Sequence, residues 1–364
     1  MIERIVQPLT EWYHANRRIL PWREEKNPYY IWISEIMLQQ TRVEAVKPYF
    51  QRFIQALPNP EALASCPEDQ LLKLWEGMGY YNRVRNMQKA AVKIVQEYGG
   101  KLPADYEALK SLPGIGSYTA GAVASIAYGI PVPAVDGNVL RVFTRITEDY
   151  GDIMKQSVKN RVERELLEIM PREDPGAFNQ ALMELGAMVC VPNGPARCGQ
   201  CPAAEECLAR KHGTVDELPV KKKAKARRIE KRTVLLIRDG ERVALHRRPP
   251  SGLLAGMYEL PNLEGHLEKE EVLSRLVQYG LTPLRILPLG ASRHIFSHVE
   301  WLMEGYDIRV AALEGAPGED VLFVDVEDAE EKYAVPAAFG AYASKINMRL
   351  GQEKYDQMGS GEEQ

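Results

Sequence analysis

Apolar residues recur at helical spacing through roughly the first 210 positions, and at strand spacing only beyond residue 230. Ile2, Ile5, Val6, Leu9 and Tyr13 predict an amphipathic helix over 1–20, closed by Leu20-Pro21-Trp22-Arg23. A second helix is expected from Ser34 through Val43. Glu35, Gln39 and Arg42 fall at i, i+4 and i+7 there and would share a polar face, with Ile36, Met37 and Val43 turned elsewhere. Helical patterns follow over 61–75 and 82–98, separated by Glu76-Gly77-Met78-Gly79-Tyr80-Tyr81-Asn82, a turn that exposes rings. Leu112-Pro113-Gly114-Ile115-Gly116 breaks the chain, and the small residues from Thr119 to Ala124 resume a helix. Pro131 and Pro133 then mark an extended approach to Asp136, with further helices near 138–147, 157–170 and 177–189. Past the change of period, Thr233–His246 reads as two β-rich runs joined through Asp239-Gly240, a hairpin signal. A helix near 267–279 and strands around 293–301, 305–312 and 321–325 complete an α+β half. The fold class expected is multidomain, all-α followed by α+β.

At 364 residues the chain can hold two domains with substantial cores. There is no apolar run long enough to span a bilayer and no apolar signal core at the start, so neither a membrane span nor a secretion leader is expected. The net charge of −4 conceals an asymmetry: residues 1–229 carry 31 Lys/Arg against 27 Asp/Glu, and the remainder 15 against 23. The step falls at Lys221-Lys222-Lys223-Ala224-Lys225-Ala226-Arg227-Arg228, which reads as a solvated linker that could add attraction to nucleic acid.

Two groups carry candidate chemistry. Cys190, Cys198, Cys201 and Cys207 place four thiols in eighteen residues, a metal site in a reducing compartment. Four thiolates suit structural zinc or a cubane iron–sulfur cluster; one close pair with two separated ligands leans to the cluster. Glu35 and Asp136 are the acid–base candidates. Cleaving a bond at an anomeric carbon needs a proton for the leaving group and negative charge beside the developing oxocarbenium ion. Glu35, among Ile33, Ile36, Met37 and Leu38, should hold its proton, while Asp136 at a helix start should stay ionised. Gly114 and Gly116 let the backbone approach a partner closely, and the N–H groups at the start of the next helix make an anion site for a phosphate.

Together these motifs resemble the endonuclease III superfamily of DNA glycosylases: Leu112–Gly116 its helix-hairpin-helix, Val135-Asp136-Gly137-Asn138 its aspartate segment, and the four cysteines its [4Fe–4S] loop. Leu20–Arg23, Ser34–Thr41 and Gly79-Tyr80-Tyr81 are similar within it to the MutY family of adenine DNA glycosylases. The resemblance implies a monofunctional glycosylase that flips out and removes adenine mispaired with 8-oxoguanine or guanine. Glu35 would protonate adenine N7, Asp136 would stabilise the oxocarbenium ion, and Tyr118 and Asn138 would position that carboxylate. Trp22, Arg23 and Gln180 would line the adenine pocket. Gln40, Thr41, Met78 and Tyr80 would surround the 8-oxoguanine, which Phe296-Ser297-His298 would probe. Bifunctional relatives carry a lysine where Tyr118 stands, and a phenol cannot form an imine.

The implied architecture is an all-α helix-hairpin-helix catalytic domain over 1–212, comprising a six-helix barrel at about 22–130 and an iron–sulfur module of 1–21 with 131–212. A basic linker at 213–229, a Nudix-like 8-oxoguanine domain at 230–350 and a flexible tail at 351–364 follow. The cluster would be structural. No catalytic Mg²⁺ is expected, because Gly265–Arg275 lacks the Arg-Glu-x-x-Glu-Glu pattern of Nudix enzymes. Double-stranded DNA with 8-oxoguanine:A or G:A mispairs is the implied partner, for a monomer in the bacterial cytoplasm, with the nucleoid. The x7 spacing from Cys190 to Cys198 departs from the family's usual x6, which adds one residue to the loop. The competing readings are a glycosylase/lyase for oxidised pyrimidines, opposed by Tyr118 and the second domain, and a non-catalytic DNA binder with a structural cluster, opposed by the two carboxylates.

Overall fold

The computed structural model describes residues 2–222, 226–240, 242–312 and 321–351. Of the basic run, 223–225 lie outside the described residues, as does all of the expected tail except Gly351. Helices α1 (Val6–Asn16), α2 (Pro28–Leu38), α3 (Val43–Ala56), α4 (Pro60–Ser65), α5 (Glu68–Leu74) and α6 (Asn82–Tyr98) come first. They are followed by α7 (Tyr106–Lys110), α8 (Ser117–Tyr128), α9 (Gly137–Thr147), α10 (Gln156–Glu168), α11 (Pro175–Met188) and α12 (Leu208–His212). The chain divides into two compact units, Met1–Ser65 with Arg85–Ala224, and Cys66–Val84 with Lys225–Gln364.

In the first unit, Ile5, Leu9 and Tyr13 pack with Val139, Phe143, Phe178 and Leu182 in one core, so the N-terminal helix is built into the α9–α11 layer. Helix α2 differs from the sequence expectation. The Asn27 side chain accepts from the Tyr29 backbone N–H (2.9 Å) and Pro28 occupies the first turn, so the helix starts six residues before Ser34. It stops at Leu38, and Gln40 sits in the left-handed region (φ 61°). The polar face of Glu35, Gln39 and Arg42 therefore does not form. Residues 31–37 are all buried, and Glu35 lies inside rather than on a wet surface. Pro67 likewise divides the pattern at 61–75 into α4 and α5.

The second unit is a mixed sheet of β1 (Arg228–Asp239), β2 (Arg242–Arg247), β3 (Tyr258–Glu259), β4 (Asn262–Glu264), β5 (Pro283–Ile295), β6 (Val299–Val310) and β7 (Val321–Asp325). Its order is β3-β2-β1-β6-β5, with β4 beside β1 and β7 beside β2. Asp239 pairs with Arg242 across the expected Asp-Gly turn, and Gly240 supplies the positive φ it needs (62°). Strand β1 is buried on both faces: Val234 and Leu236 face a core with Trp301 and Phe339, while Leu235 and Ile237 face helix α13 (Lys269–Gln278). The expected strand over 293–301 is two strands, β5 and β6, turning through Phe296-Ser297-His298. Glu268 and Glu271, at the Nudix-like helix, form a capping box for α13.

The segment 66–84 belongs with this sheet, although the sequence reading keeps it within the helical domain. Fully buried Glu76 accepts from Lys73 Nζ (2.7 Å) and from the Val335 backbone N–H (2.9 Å), and Lys73 also donates to the Tyr333 carbonyl (2.7 Å). A buried carboxylate so paired fixes the segment to residues more than 250 positions away.

Candidate active site

A cavity in the first unit is lined by Glu35, Asp136, Tyr118, Asn138, Trp22, Arg23 and Gln180, and also by Gln40 and Thr41. Gly114, Gly116 and the four cysteines lie outside this cavity, and the structure thus brings together in it the acid–base and base-pocket candidates, with Gln40 and Thr41. Each reaches the cavity for a local reason. Glu35 projects from the buried face of α2. Tyr118 stands in the first turn of α8. Asp136 is the N-cap of α9 and accepts from the Val139 backbone N–H (2.7 Å) and Asn138 Nδ2 (2.8 Å). It is therefore both a helix cap and a cavity carboxylate. Trp22 is fixed edge-on against Phe50, with centroids 5.4 Å apart.

Burial raises the Glu35 carboxyl to about 7; the Tyr118 hydroxyl, which donates to Glu35 Oε2, lowers it, and neighbouring Asp136 raises it again. Burial keeps Tyr118 a neutral phenol, well above the usual range, with Glu35 and Asp136 adding to the shift. Burial raises the Asp136 carboxyl, although the N–H donors of Val139 and Asn138 and the Arg141 guanidinium pull the other way. Glu35 has fewer such partners to offset its burial.

Several residues the sequence reading passed over complete the site. Glu184, fully buried, accepts from Arg18 Nε (2.7 Å), Arg18 Nη2 (2.9 Å) and Arg23 Nη2 (3.0 Å). Burial pushes that carboxyl up, but the two arginines outweigh it and hold it at about 2. Glu184 follows Gln180 by four residues on α11, and that spacing was the available signal. Arg141 Nη2 donates to Asn138 Oδ1 (2.9 Å), and its Nε donates to the Cys190 carbonyl (2.8 Å), joining the aspartate segment to the cysteine loop.

Cys190, Cys198, Cys201 and Cys207 line one small pocket walled by Val142, Ile146, Leu185 and Val189. Arg145 Nη1 donates to Cys190 Sγ (3.3 Å). Backbone N–H groups of Ala203 and Arg210 point at Cys201 and Cys207. Four thiols, an apolar wall and N–H donors to sulfur are compatible with the donor set that a cysteine-held iron–sulfur cluster requires. Among the described residues, no three His, Cys, Asp or Glu side chains are grouped as a site for a single metal ion.

In the α7–α8 hairpin, Gly114 takes φ 76° and a Cβ there would meet the Asn86 side chain at 2.7 Å, so the turn requires glycine. A Cβ at exposed Gly116 would meet nothing, which leaves the approach to the α8 N-terminus open. In the second unit, Met78 is buried, Tyr80 is half-exposed with φ 49°, and Ser297 and His298 are exposed at the β5–β6 tip.

A family model described as an HhH-GPD superfamily base excision DNA repair protein matches residues 33–172, and a NUDIX domain model matches 233–345. The chain is similar to a thermostable thymine-DNA glycosylase (TM-score 0.51, 27% identity), covering 58% of this chain and 97% of that one. It is similar to the same degree (TM-score 0.51, 27% identity) to endonuclease III in a trapped covalent intermediate with DNA, covering 58% and 96% of the two chains. Fold and site therefore define a DNA glycosylase of the HhH-GPD superfamily. The adenine DNA glycosylase of Mus musculus is 36% identical over 368 residues, covering 85% of this chain and 70% of that protein. That of Buchnera aphidicola subsp. Schizaphis graminum is 34% identical over 270 residues, covering 74% and 78%. The chain belongs to the adenine DNA glycosylases, hydrolases of N-glycosyl bonds in base-excision repair. Among the described residues no helix is long and apolar enough to cross a membrane.

Proposed function

We propose that the enzyme removes adenine paired with 8-oxoguanine, or with guanine, from duplex DNA, and does not cut the strand. The observation that carries this reading is the buried Glu35 carboxyl, raised to about 7 and sharing a cavity with Asp136 and Tyr118. A flipped adenine in that cavity would receive the Glu35 proton at N7, which makes the base a neutral leaving group. Asp136, held by Val139 and Asn138, would face the positive charge that develops at C1′ as the bond breaks. Water then completes hydrolysis. Trp22, Arg23 and Gln180 would bound the base, with Arg23 fixed by Glu184.

The hairpin turn at Gly114 and Gly116 would hold a phosphate at the α8 N-terminus. Gln40, Thr41, Met78, Tyr80 and the Phe296-Ser297-His298 tip would surround the lesion. 8-Oxoguanine carries an N7–H that guanine lacks, and a serine hydroxyl can accept from it. The four cysteines would hold a [4Fe–4S] cluster, the group the family generally carries, as a structural cross-link. The first unit would be the catalytic domain and the second, with 66–84, the Nudix-like domain. The enzyme would work as a monomer on chromosomal DNA in the cytoplasm.

Single-turnover assays on 8-oxoguanine:A, G:A and 8-oxoguanine:C duplexes test the reading. We expect adenine release from the first two, fastest from the first, and no reaction with the third. Strand breaks should appear only after alkali. Efficient borohydride trapping of protein on DNA would contradict the monofunctional assignment, because Tyr118 offers no amine.

A further inference from the structure

We propose that Lys221, at the root of the basic linker, binds a phosphate of the DNA strand that delivers its base to the active-site cavity. This contact presupposes the duplex substrate proposed above and extends it to a residue outside the base pocket. The cavity that holds Glu35 and Asp136 has a volume of about 1850 Å³, whereas pockets for small ligands are commonly about 300–1,000 Å³. An adenine leaves most of it unfilled. Ile153, Met154, Lys159, Leu218, Pro219 and Lys221 line it as well, and the chemistry at Glu35 and Asp136 uses none of them. Lys159 and Lys221 bring two ammonium groups to this wall, against the one carboxylate of Asp216.

The sequence reading makes 213–229 a solvated linker, but its first part is built into the helical unit. The Ile153 N–H donates to the Val220 carbonyl (3.1 Å). The Tyr150 hydroxyl donates to Glu217 Oε2 (2.8 Å), and the Thr214 hydroxyl to Glu148 Oε1 (2.7 Å). Buried Arg145 donates through Nε to the carbonyl of buried Leu218 (2.9 Å), and through Nη1 to the Val191 carbonyl (3.2 Å). The chain is thus fixed at 214, 217, 218 and 220, so Lys221 projects from a held wall, and it is exposed. Lys222, the next residue, is exposed too but does not line the cavity.

A flipped nucleotide stays joined to its neighbours, so the backbone on either side of it must lie along the cavity mouth. A phosphodiester oxygen there is the ligand that an ammonium group fits, as a point charge that displaces a condensed counterion. A lysine on a fixed backbone also loses less freedom on binding than one on a loose tether, because only its side chain has to be ordered.

The test measures binding of the full-length parent, K221Q and K222Q to a duplex with 8-oxoguanine opposite an abasic site, which the proposed reaction does not alter, from about 50 to 200 mM salt. Lys221→Gln should weaken binding about 2- to 5-fold, the range of an exposed charge pair. It should also make the slope of log K against log salt shallower by about 0.9, the share of one phosphate contact. Lys222→Gln makes the same change of charge one residue along and should alter the slope by less than half as much. Both side chains are exposed, so equal melting temperatures are expected for all three proteins. A parent slope in K221Q, or equal losses in the two variants, would overturn the assignment, the second outcome showing only diffuse attraction by the basic run. A parent protein that does not bind the duplex would instead overturn the reading on which the contact rests.

Discussion

Replacing Glu35 by Gln removes adenine release, with a loss of about 10²- to 10⁴-fold or more in the single-turnover rate. The substitution keeps the volume and the acceptor oxygen for the Tyr118 hydroxyl, so the cavity wall stays as it is. What it takes away is an acid whose proton is held to about pH 7 by burial. Water cannot substitute efficiently, because residues 31–37 of α2 are all buried around that position. Binding to a mispaired duplex should be unaffected, which separates lost chemistry from lost folding. A variant that keeps a tenth of the parent rate at neutral pH would show that another group delivers the proton.

Asp136→Asn should cost about 10²- to 10³-fold, the range for removing one pre-positioned electrostatic stabiliser. An asparagine oxygen can still accept from the Val139 N–H, so the start of α9 survives. The negative charge that Asn138 and the Val139 N–H hold toward the cavity does not survive. The rate should therefore fall while the melting temperature changes little. This variant removes a charge and leaves the Glu35 proton in place, so it should keep the parent's fall in rate above about pH 7. Glu35→Gln should instead lose the pH dependence itself. Equal pH profiles for the two variants would contradict the division of roles.

Much of this arrangement is legible in the sequence, and the failures have physical causes. The 3.6-residue period places α9 and α11 within a residue or two, because both bury a broad stripe against a common core. The Asp239-Gly240 turn is legible because Gly240 accepts the positive φ (62°) that the hairpin needs. The start of helix α2 is hard to see in the sequence because the helix is buried almost all round. With no polar face to set its phase, only the Asn27 cap and Pro28 mark its start. The Glu35–Gln39–Arg42 stripe failed for the same reason. The allegiance of residues 66–84 to the sheet had no local signal: it rests on Glu76 and Lys73 meeting Val335 and Tyr333, and periodicity carries no record of such distant partners. Asp136 was rightly placed at a helix start, but the sequence could not show how deeply it would be buried. Glu184 carries no signal of its burial, because an acid on a largely apolar helix reads as exposed unless its two arginine partners are known.

The most direct measurement is the pH profile of single-turnover adenine release from an 8-oxoguanine:A duplex, parent against Glu35→Gln. Burial lifts the Glu35 carboxyl from 4.5 to about 7, so the acid form is full below that range and is lost as pH rises through it. The parent rate should be level on the acid side of about 7 and fall tenfold per pH unit above it, a limb missing from the variant. A parent rate that climbs through neutrality, or a falling limb that persists without the carboxyl, would contradict Glu35 as the proton donor.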